Sequence, residues 1–330
     1  MRNILVTGGA GYIGSHVVRN LDESGYNTIV LDNLSEGHRE ACPRKHIVEA
    51  SIGDRAALDA VFAEHHIDAV MHFSAYAYVG ESVADPEKYY LNNVSATLAL
   101  LETMRQHGVN RFIFSSSCAT YGNPEYTPPK YTSIDENHRQ NPVNPYGRTK
   151  LIVEQILKDY NSAYGLRFIA LRYFNAAGAH PDGSIGESHR IETHLIPLVL
   201  QAIQGKREQV SLFGTDYGTP DGTCVRDYIH VCDLARAHRS ALELLLNGGE
   251  SDCINLGTET GCSVRQIIAV CEEVAGKKAP VVECPRRPGD PPLLVAQADK
   301  AKKLLSFSPE YTDIREIIKT AWQWEQKRRY

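Results

Sequence analysis

The chain of 330 residues has a composition typical of globular proteins, with 42% hydrophobic and 23% charged residues. Its 35 basic and 40 acidic residues give a formal net charge of −5 without a long run of one sign, which argues against a nucleic-acid-binding surface. No apolar stretch approaches the ~18 residues that span a bilayer, and no signal-peptide pattern is present, so we expect no membrane association.

The cysteine pattern indicates a reducing compartment. The eight cysteines are scattered, without a Cys-x2-Cys pair or histidines at zinc-binding spacing. We therefore expect reduced thiols in a cytoplasmic protein, most of them in the core, and no metal site.

The first half of the chain alternates short β-rich runs with helical stretches. The predicted strands cover residues 4–7, 28–32, 69–73, 111–115 and 168–173. The predicted helices cover residues 15–24, 56–65, 86–107 and 145–164. Gly25 and Gly108 end two of these helices, and Pro145 opens the last one, where its missing N–H costs little. This alternation predicts an α/β fold with a doubly wound parallel Rossmann sheet.

The pattern changes after residue 175. Residues 179–193 are rich in Gly, His, Pro and Ser and are predicted to be loop, and the later elements are short. We expect a first domain over residues 1–175 and a smaller C-terminal α/β substrate domain over residues 176–330. A strand end and helix over residues 228–246 belong to a segment, near 228–258, that is predicted to return to the first domain.

A glycine-rich turn follows the first predicted strand and opens the first predicted helix. Gly8, Gly11 and Gly14 allow a tight turn and a close approach of the backbone to a pyrophosphate at the helix N-terminus. Asp32 lies eighteen residues beyond Gly14, at the end of the second predicted strand, where a carboxylate can bind the adenosine ribose. Because that carboxylate would repel the extra phosphate of NADP, we predict NAD as the cofactor. The alternative is a turn built from glycine for packing alone.

Tyr146 and Lys150 lie four residues apart, on one face of a predicted helix. A tyrosine ionises near pH ~10 in water, so it acts as a base near neutrality only where positive charge lowers its pKa. Alone, the pair would more often be an ordinary surface pair. The glycine turn upstream, and Ser117 between the two motifs, favour a catalytic pair.

These motifs resemble the extended branch of the short-chain dehydrogenase/reductase superfamily, which acts largely on nucleotide sugars. The resemblance sharpens to the UDP-glucose 4-epimerases of galactose metabolism and covers nearly the whole chain. Its narrowest blocks are Gly222-Thr223-Cys224-Val225-Arg226-Asp227-Tyr228-Ile229-His230 and Arg286-Arg287-Pro288-Gly289-Asp290. It implies a homodimeric isomerase that uses bound NAD to invert C4 of a UDP-hexose through a 4-keto intermediate.

The resemblance also implies roles for individual residues. Tyr146, as a phenolate, would take the proton of the C4 hydroxyl, assisted by Ser117 and Lys150. The residues implied to bind NAD are Gly8, Gly11, Tyr12, Ile13, Gly14, Asp32, Asn33, Ser51, Ile52, Phe73, Asn92, Tyr146, Lys150 and Tyr173. Those implied to bind the UDP-sugar are Ser117, Tyr146, Asn175, His194, Leu195, Phe213, Arg226, Arg287 and Asp290. For each of the latter, a surface ion pair or core packing is the alternative.

Two departures from the family pattern bear on binding. Ser51 replaces an aspartate that meets adenine in the family, so the adenine contact is expected to be weaker or rebuilt. Leu294 lies near the position of a bulky tyrosine in family members restricted to simple hexoses. We therefore extend the predicted substrates from UDP-glucose and UDP-galactose to UDP-GlcNAc and UDP-GalNAc.

Other functions stay open at this point. The nearest are 4-epimerases of UDP-glucuronate or of a UDP-pentose. A 4,6-dehydratase would carry Asp-Glu after the hydroxyl residue, and a decarboxylase a glutamate in that stretch, where this chain has Cys118 and Ala119. A non-catalytic dinucleotide sensor and a dehydrogenase that releases NADH are further alternatives.

Overall fold

The computed structural model of the chain describes residues 1–43, 46–124, 133–287 and 289–330. Its strands are β1 Asn3–Thr7, β2 Asn27–Asp32, β3 Ile47–Glu49, β4 Ile67–His72, β5 Arg111–Ser117, β6 Arg167–Tyr173, β7 Asn175–Ala177, β8 Val210–Phe213, β9 Val225–His230, β10 Asp252–Leu256, β11 Gly261–Ser263, β12 Val281–Cys284 and β13 Leu293–Leu294. Its helices are α1 Tyr12–Glu23, α2 Arg55–Glu64, α3 Val79–Ala84, α4 Pro86–Tyr89, α5 Thr97–Gln106, α6 Pro145–Tyr164, α7 Leu195–Ile203, α8 Val231–Leu246, α9 Val264–Ala275, α10 Asp299–Leu305 and α11 Ile314–Gln326. Within these ranges, none of the helices has the length and apolar character to cross a membrane.

A seven-stranded parallel sheet forms the centre of the fold, in the order β10-β6-β5-β4-β1-β2-β3. Side chains of β1 alternate between its faces, because Ile4 and Val6 belong to one buried hydrophobic cluster and Leu5 to another. Helices α1 and α8 cover the first face, and α2, α5 and α6 cover the second. The predicted α/β fold with a doubly wound parallel sheet is therefore confirmed.

The strand order reverses beside β1, which lies between β2 and β4. The chain runs outward from β1 to β3 on one side and from β4 to β6 on the other. In open α/β sheets, ligands bind in the crevice that such a reversal leaves at the carboxyl ends of the strands. The ends of β1, β4 and β5 should therefore line the ligand site.

Elements after residue 175 extend the large sheet and also form a separate group of short strands and helices. Strand β10 pairs with β6 in the large sheet, and α8 contacts α1. Strands β7, β9, β11 and β13 form a small mixed sheet, and β8 pairs with β12. A third hydrophobic cluster joins α7, α9 and α11 beneath these short strands.

The observed elements differ from the predicted ones mainly in the middle of the sheet region. The predicted helix over residues 86–107 is divided, because a π-helical segment, Tyr90–Ala96, joins α4 to α5. In that segment the side chain of Asn93 hydrogen-bonds the backbone N–H and C=O of Tyr76. Strand β3 and helix α3 were not predicted. Strand β3 has only three residues and helix α3 only six, and segments this short show little hydrophobic periodicity. Helix α6 has the predicted bounds.

Candidate active site

One cavity of about 800 Å³ opens at the carboxyl ends of β1, β4 and β5. Its walls include the glycine turn, the loop after β4, the start of α6 and four later segments. The predicted residues that line it are Gly8, Gly11, Tyr12, Ile13, Gly14, Asp32, Asn33, Ser51, Ile52, Phe73, Asn92, Ser117, Tyr146, Lys150, Tyr173, Asn175, His194, Arg226, Arg287 and Asp290. The fold thus gathers residues from almost the whole chain around one space.

Leu195 and Phe213 are absent from the lining of this cavity. Leu195 is the first residue of α7 and packs against the third hydrophobic cluster. Phe213 ends β8, and its ring lies 4.6 Å from the guanidinium carbon of Arg287. Phe213 therefore packs against Arg287, and its contact with the nucleotide stays a prediction.

The glycine turn depends on two of its three predicted glycines for packing. A Cβ atom on Gly14 would lie 2.1 Å from the carbonyl oxygen of Gly8. Gly8 has a φ of 71°, and a Cβ atom there would lie 2.6 Å from the backbone of Phe73. A Cβ atom on Gly11 would meet only the carbonyl oxygen of Gly8, at 3.4 Å. Gly11 therefore faces open space at the start of α1, where backbone N–H groups suit a pyrophosphate.

The carboxylate of Asp32 is buried beside this turn. Its Oδ2 accepts a hydrogen bond from Ala10 N at 2.9 Å, and its Oδ1 accepts one from Leu34 N at 2.8 Å. Burial raises the pKa of Asp32, and these two amide hydrogen bonds oppose the rise. A carboxylate has further lone pairs for ribose hydroxyls, and its charge disfavours a phosphate there. The turn and Asp32 together fit NAD.

Two of the predicted NAD-binding residues, Ser51 and Asn33, accept hydrogen bonds within their own turns. Ser51 is exposed, and its Oγ accepts a hydrogen bond from Gly53 N at 3.1 Å. The Oδ1 atom of Asn33 accepts one from Ser35 N at 3.1 Å. Both side chains line the cavity while stabilising their own loops. A serine at position 51 is therefore compatible with the turn but brings no charge to the cavity.

The predicted catalytic residues meet where β5 ends and α6 begins. Ser117 is the last residue of β5, and Tyr146 lies in the first turn of α6. Asn144 caps this helix by accepting a hydrogen bond from Gly147 N at 2.8 Å. Lys150 follows one turn later, and its Nζ lies 5.8 Å from the centroid of the Tyr146 ring. The spacing of four residues therefore places the amine beside the phenol, as predicted.

Burial dominates the proton affinities of this group. Burial raises the pKa of Tyr146 to about 12, although a hydrogen bond with Ser117 lowers it. Burial also lowers the pKa of Lys150 to about 7, against the opposing charge of Glu154. We expected positive charge to outweigh desolvation at Tyr146, and Lys150 alone does not achieve this. A phenolate near neutral pH therefore requires further positive charge, which the oxidised nicotinamide carries.

A buried ion pair that we did not predict lies directly behind Lys150. Arg172 Nη2 is 2.6 Å from Glu154 Oε2, and the two side chains are 3% and 0% exposed. Ser116 Oγ donates to Glu154 Oε1 at 2.6 Å. Burial alone would raise the pKa of Glu154, but the hydrogen bonds and charge of Arg172 lower it. Because Glu154 lies four residues after Lys150, its placement on the inner face of α6 was predictable, but its partner was not.

The other end of the cavity carries the predicted nucleotide residues. Arg226 forms a close ion pair with Asp290, and Arg287 Nη2 lies 3.6 Å from the same carboxylate. The Nδ2 atom of Asn175 donates to the backbone oxygen of Asp227 at 2.8 Å. Two guanidinium groups held by one carboxylate suit the oxygens of a diphosphate. Asn175 is partly used in joining β7 to β9 and lines the cavity with the rest of its side chain.

The loop before α7 brings unpredicted charge to the cavity. His194 was predicted, but Glu187 and His189 also line the wall. Burial disfavours charge on His194, but Glu187 and Glu192 raise its pKa to about 10. The same carboxylates raise the pKa of His189 to about 9. The signal for this group was present in the loop sequence as two histidines and two glutamates within eight residues.

Comparisons with known proteins agree with this geometry. The family model for the NAD-dependent epimerase/dehydratase family matches residues 4–257. A UDP-glucose 4-epimerase of Rhizobium leguminosarum bv. trifolii is 52% identical over 324 residues, which are 98% of this chain and 97% of the relative. The crystal structure of UDP-glucose 4-epimerase from Brucella ovis in complex with NAD has a TM-score of 0.94 at 50% identity, covering 98% of each chain. The UDP-Glc/GlcNAc 4-epimerase of Campylobacter jejuni has a TM-score of 0.86 at 41% identity, covering 99% of this chain and 100% of the other. The chain therefore belongs to the NAD-dependent epimerase/dehydratase family, in its UDP-glucose 4-epimerase branch.

Proposed function

We propose that the protein interconverts UDP-glucose and UDP-galactose by inverting C4 of the sugar, with NAD as its resident cofactor. The glycine turn and Asp32 would hold the two phosphates and the adenosine ribose. Arg226, Arg287 and Asp290 would hold the diphosphate and ribose of the substrate. This arrangement would fix both nucleotides at opposite ends of the cavity and place the hexose near Tyr146.

The residues around the sugar would remove the proton of the C4 hydroxyl and later return it. When bound, NAD supplies a reversible acceptor for the hydride on C4. Tyr146 takes the proton of the C4 hydroxyl as a phenolate and returns it after the 4-keto sugar has turned over. Ser117 donates a hydrogen bond to the same oxygen. Lys150 supports the charge on Tyr146 from the neighbouring turn of α6.

The observation that carries this proposal is the convergence of two distant groups on one cavity. Tyr146 and Lys150 line it together with the glycine turn, and Arg226 and Asp290 line its other end. A dinucleotide sensor would need only the turn. A 4,6-dehydratase would need an additional acid next to Ser117, where Cys118 has a pKa raised to about 12 by burial.

The test is a substrate panel with product stereochemistry determined by NMR. We expect UDP-galactose to yield UDP-glucose with C6 retained and without net NADH formation. UDP-glucuronate and a UDP-pentose serve as comparison substrates. Faster turnover of either comparison substrate, loss of C6 oxygen, or accumulation of NADH would each reject the proposal in favour of the corresponding alternative.

UDP-N-acetylhexosamines form a second candidate substrate class. Leu294 lines the cavity as the last residue of β13, and it pairs with Arg226 of β9. Leucine is shorter than the tyrosine of hexose-restricted family members, so an N-acetyl group would have more room. The Campylobacter jejuni relative, whose name includes GlcNAc, supports this extension. Assay of UDP-GlcNAc beside UDP-glucose tests it.

We also propose a homodimer formed through the helices on one side of the sheet. Leu91 and Leu98 are 57% and 36% exposed along the π-helical segment and α5, and Tyr164 is 57% exposed at the end of α6. Burying these apolar groups against a second copy would be favourable. Sedimentation velocity would detect the dimer, and a monomer at micromolar concentration would contradict it.

The domain division and the cellular location remain proposals of the same kind. We propose an NAD-binding unit of residues 1–175 with the return segment 228–258, and a nucleotide-sugar unit in the rest of 176–330. Pairing of β10 with β6 supports the return segment. Limited proteolysis would cut first between the units if the division is right. A cytoplasmic location is proposed from the expected reduced cysteines, and cell fractionation would test it.

A further inference from the structure

Two glutamates and two histidines form a compact group in the loop between β7 and α7. We call Glu187, His189, Glu192 and His194 the Glu/His cluster; each offers a ligand atom, and these atoms all lie within 4.8 Å of one another. The Nδ1 atom of His194 lies 2.8 Å from Glu187 Oε1 and 3.0 Å from Glu192 Oε1. The Nδ1 atom of His189 lies 3.2 Å from Glu187 Oε1 and 3.6 Å from Glu192 Oε2. Each imidazole nitrogen therefore faces both carboxylates.

Hydrogen bonds alone do not satisfy this arrangement. A ring nitrogen carries at most one hydrogen, so it cannot donate well to two carboxylates at once. The Nδ1 atom of His194 makes its hydrogen bond with Glu192. Among the described residues, Oε1 of Glu187 and Nδ1 of His189 make no well-aligned hydrogen bond, although ion-pair partners lie 2.8 and 3.2 Å from that oxygen, and Glu187 is only 5% exposed. Buried polar atoms without partners are uncommon and call for a ligand or another explanation.

We propose that the Glu/His cluster binds a divalent transition-metal cation of the Zn²⁺ class. Two imidazole nitrogens and two carboxylate oxygens form a donor set that suits such cations, and two carboxylates balance a charge of +2. In a tetrahedral site with bonds of about 2.0–2.2 Å, neighbouring ligand atoms lie about 3.3–3.6 Å apart. The four nitrogen–oxygen separations in the cluster are 2.8, 3.0, 3.2 and 3.6 Å. Glu192 turns a different oxygen toward each histidine, and the four ligand atoms lie within 4.8 Å of one another, so side-chain shifts of about 1 Å would complete the site.

The Glu/His cluster lies beside the glycine turn and the loop that follows Asp32. The ring of His189 lies 6.3 Å from that of Tyr12 and 5.7 Å from that of Tyr78, and Tyr12 opens the helix after the glycine turn. Arg190, inside the same loop, donates to the backbone oxygens of residues 34 and 35, just after Asp32. A bound cation would link four residues of one loop and so stabilise the part of the loop that lines the cavity beside the proposed NAD site. This site lies outside the proposed proton path through Tyr146.

Titration of the NAD-loaded protein with Zn²⁺ alone tests the proposal. Calorimetry should show about one Zn²⁺ bound per chain, with affinity weakened by more than about tenfold in H189Q and in E192Q. H180Q is the matched control, because His180 lies in the same loop and pairs with Asp182 at 2.8 Å, and within the described ranges it forms no ion pair with a second carboxylate. Its Zn²⁺ affinity should stay within about twofold of the original chain.

A spectroscopic measurement keeps the proposal testable if a variant unfolds. Co²⁺ added to the unaltered protein should develop the intense visible bands of a four-coordinate site, and excess Zn²⁺ should remove them. Absence of these bands, or Zn²⁺ binding that is equal in H189Q, E192Q and the original chain, would overturn the proposal. The cluster would then be an ion-pair network in which protons alone balance the carboxylates. Because the readout is metal binding, its failure leaves the proposed epimerase activity untouched.

Discussion

The Nζ atom of Lys150 donates a 2.6 Å hydrogen bond to the backbone carbonyl oxygen of Ser115. This bond ties the second turn of α6 to strand β5, two residues before Ser117. Lys150 is 3% exposed, and its Nζ lies 5.8 Å from the centroid of the Tyr146 ring. Lys150 therefore combines a structural role in joining helix to strand with the electrostatic role proposed for it.

Replacing Tyr146 by phenylalanine should abolish most of the epimerase activity. The ring and its packing remain, but the only group proposed to carry the C4 proton is lost, so we expect kcat to fall by roughly 10²- to 10⁴-fold. Rates with UDP-galactose and the amount of bound NAD should be measured together. Y164F, at the exposed end of the same helix, is the control and should retain full activity. Undiminished turnover by Y146F would refute the role of Tyr146.

The stability of the protein should rise with pH in a way that depends on Lys150. Burial lowers its pKa to about 7 from the model-peptide value of 10.5, so the unfolded chain binds more protons between these values. The free energy of unfolding should then increase with pH from about 7 to 10, by up to about 1.4 kcal/mol per pH unit from this group. Urea denaturation of the original chain and of K150M across this range gives the difference. A difference that is constant with pH would contradict the lowered pKa.

Breaking the buried ion pair should destabilise the protein strongly. E154Q leaves the guanidinium of Arg172 buried without its counter-charge, which should cost about 3–5 kcal/mol in the free energy of unfolding. E49Q is the matched control, because Arg39 and Glu49 are also 2.6 Å apart but 54% and 59% exposed. Its effect should be within about 1 kcal/mol. Equal effects of the two substitutions would show that the buried pair stabilises the protein no more than the exposed pair does.

A methyl group at Gly14 should disrupt the proposed NAD site. Its Cβ would lie 2.1 Å from the carbonyl oxygen of Gly8, so the turn must move. We expect G14A to lose bound NAD after purification, as read from absorbance and from mass spectrometry of the denatured protein. G53A is the control, because a Cβ there would meet its nearest neighbour at 3.5 Å, an ordinary contact. Normal NAD content in G14A would show that the turn tolerates the displacement.

Enlarging the side chain at position 294 should separate the two substrate classes. L294Y reduces the space beside the proposed sugar site, so turnover of UDP-GlcNAc should fall by about 10-fold or more while UDP-glucose changes by only a few-fold. Leu293 is absent from the cavity lining, so L293Y serves as the control with an adjacent change of equal size. Parallel loss of both activities in L294Y would assign Leu294 a general packing role.

Much of the site could be predicted because its parts are local in sequence. The glycine spacing, the acid at the end of β2 and the four-residue interval of Tyr146 and Lys150 each reflect a single turn, strand or helix. Their convergence followed from the strand order expected of a doubly wound sheet. The division of the predicted helix over residues 86–107 could not be predicted, because the π-helical segment holds Asn93, whose hydrogen bonds to Tyr76 in the loop after β4 form only in the folded chain.

The fold class, the cofactor motif and the proposal of Tyr146 as the proton carrier could be read from the amino-acid sequence, because periodicity and short motifs depend on neighbouring residues. The proton affinities of Tyr146 and Lys150 follow from the folded chain instead, since desolvation depends on everything that packs around them. The tertiary structure also decided the pairing of Glu154 with Arg172 and the assembly of the Glu/His cluster against the cofactor side of the cavity. Contacts between residues far apart in the chain exist only once the chain has folded.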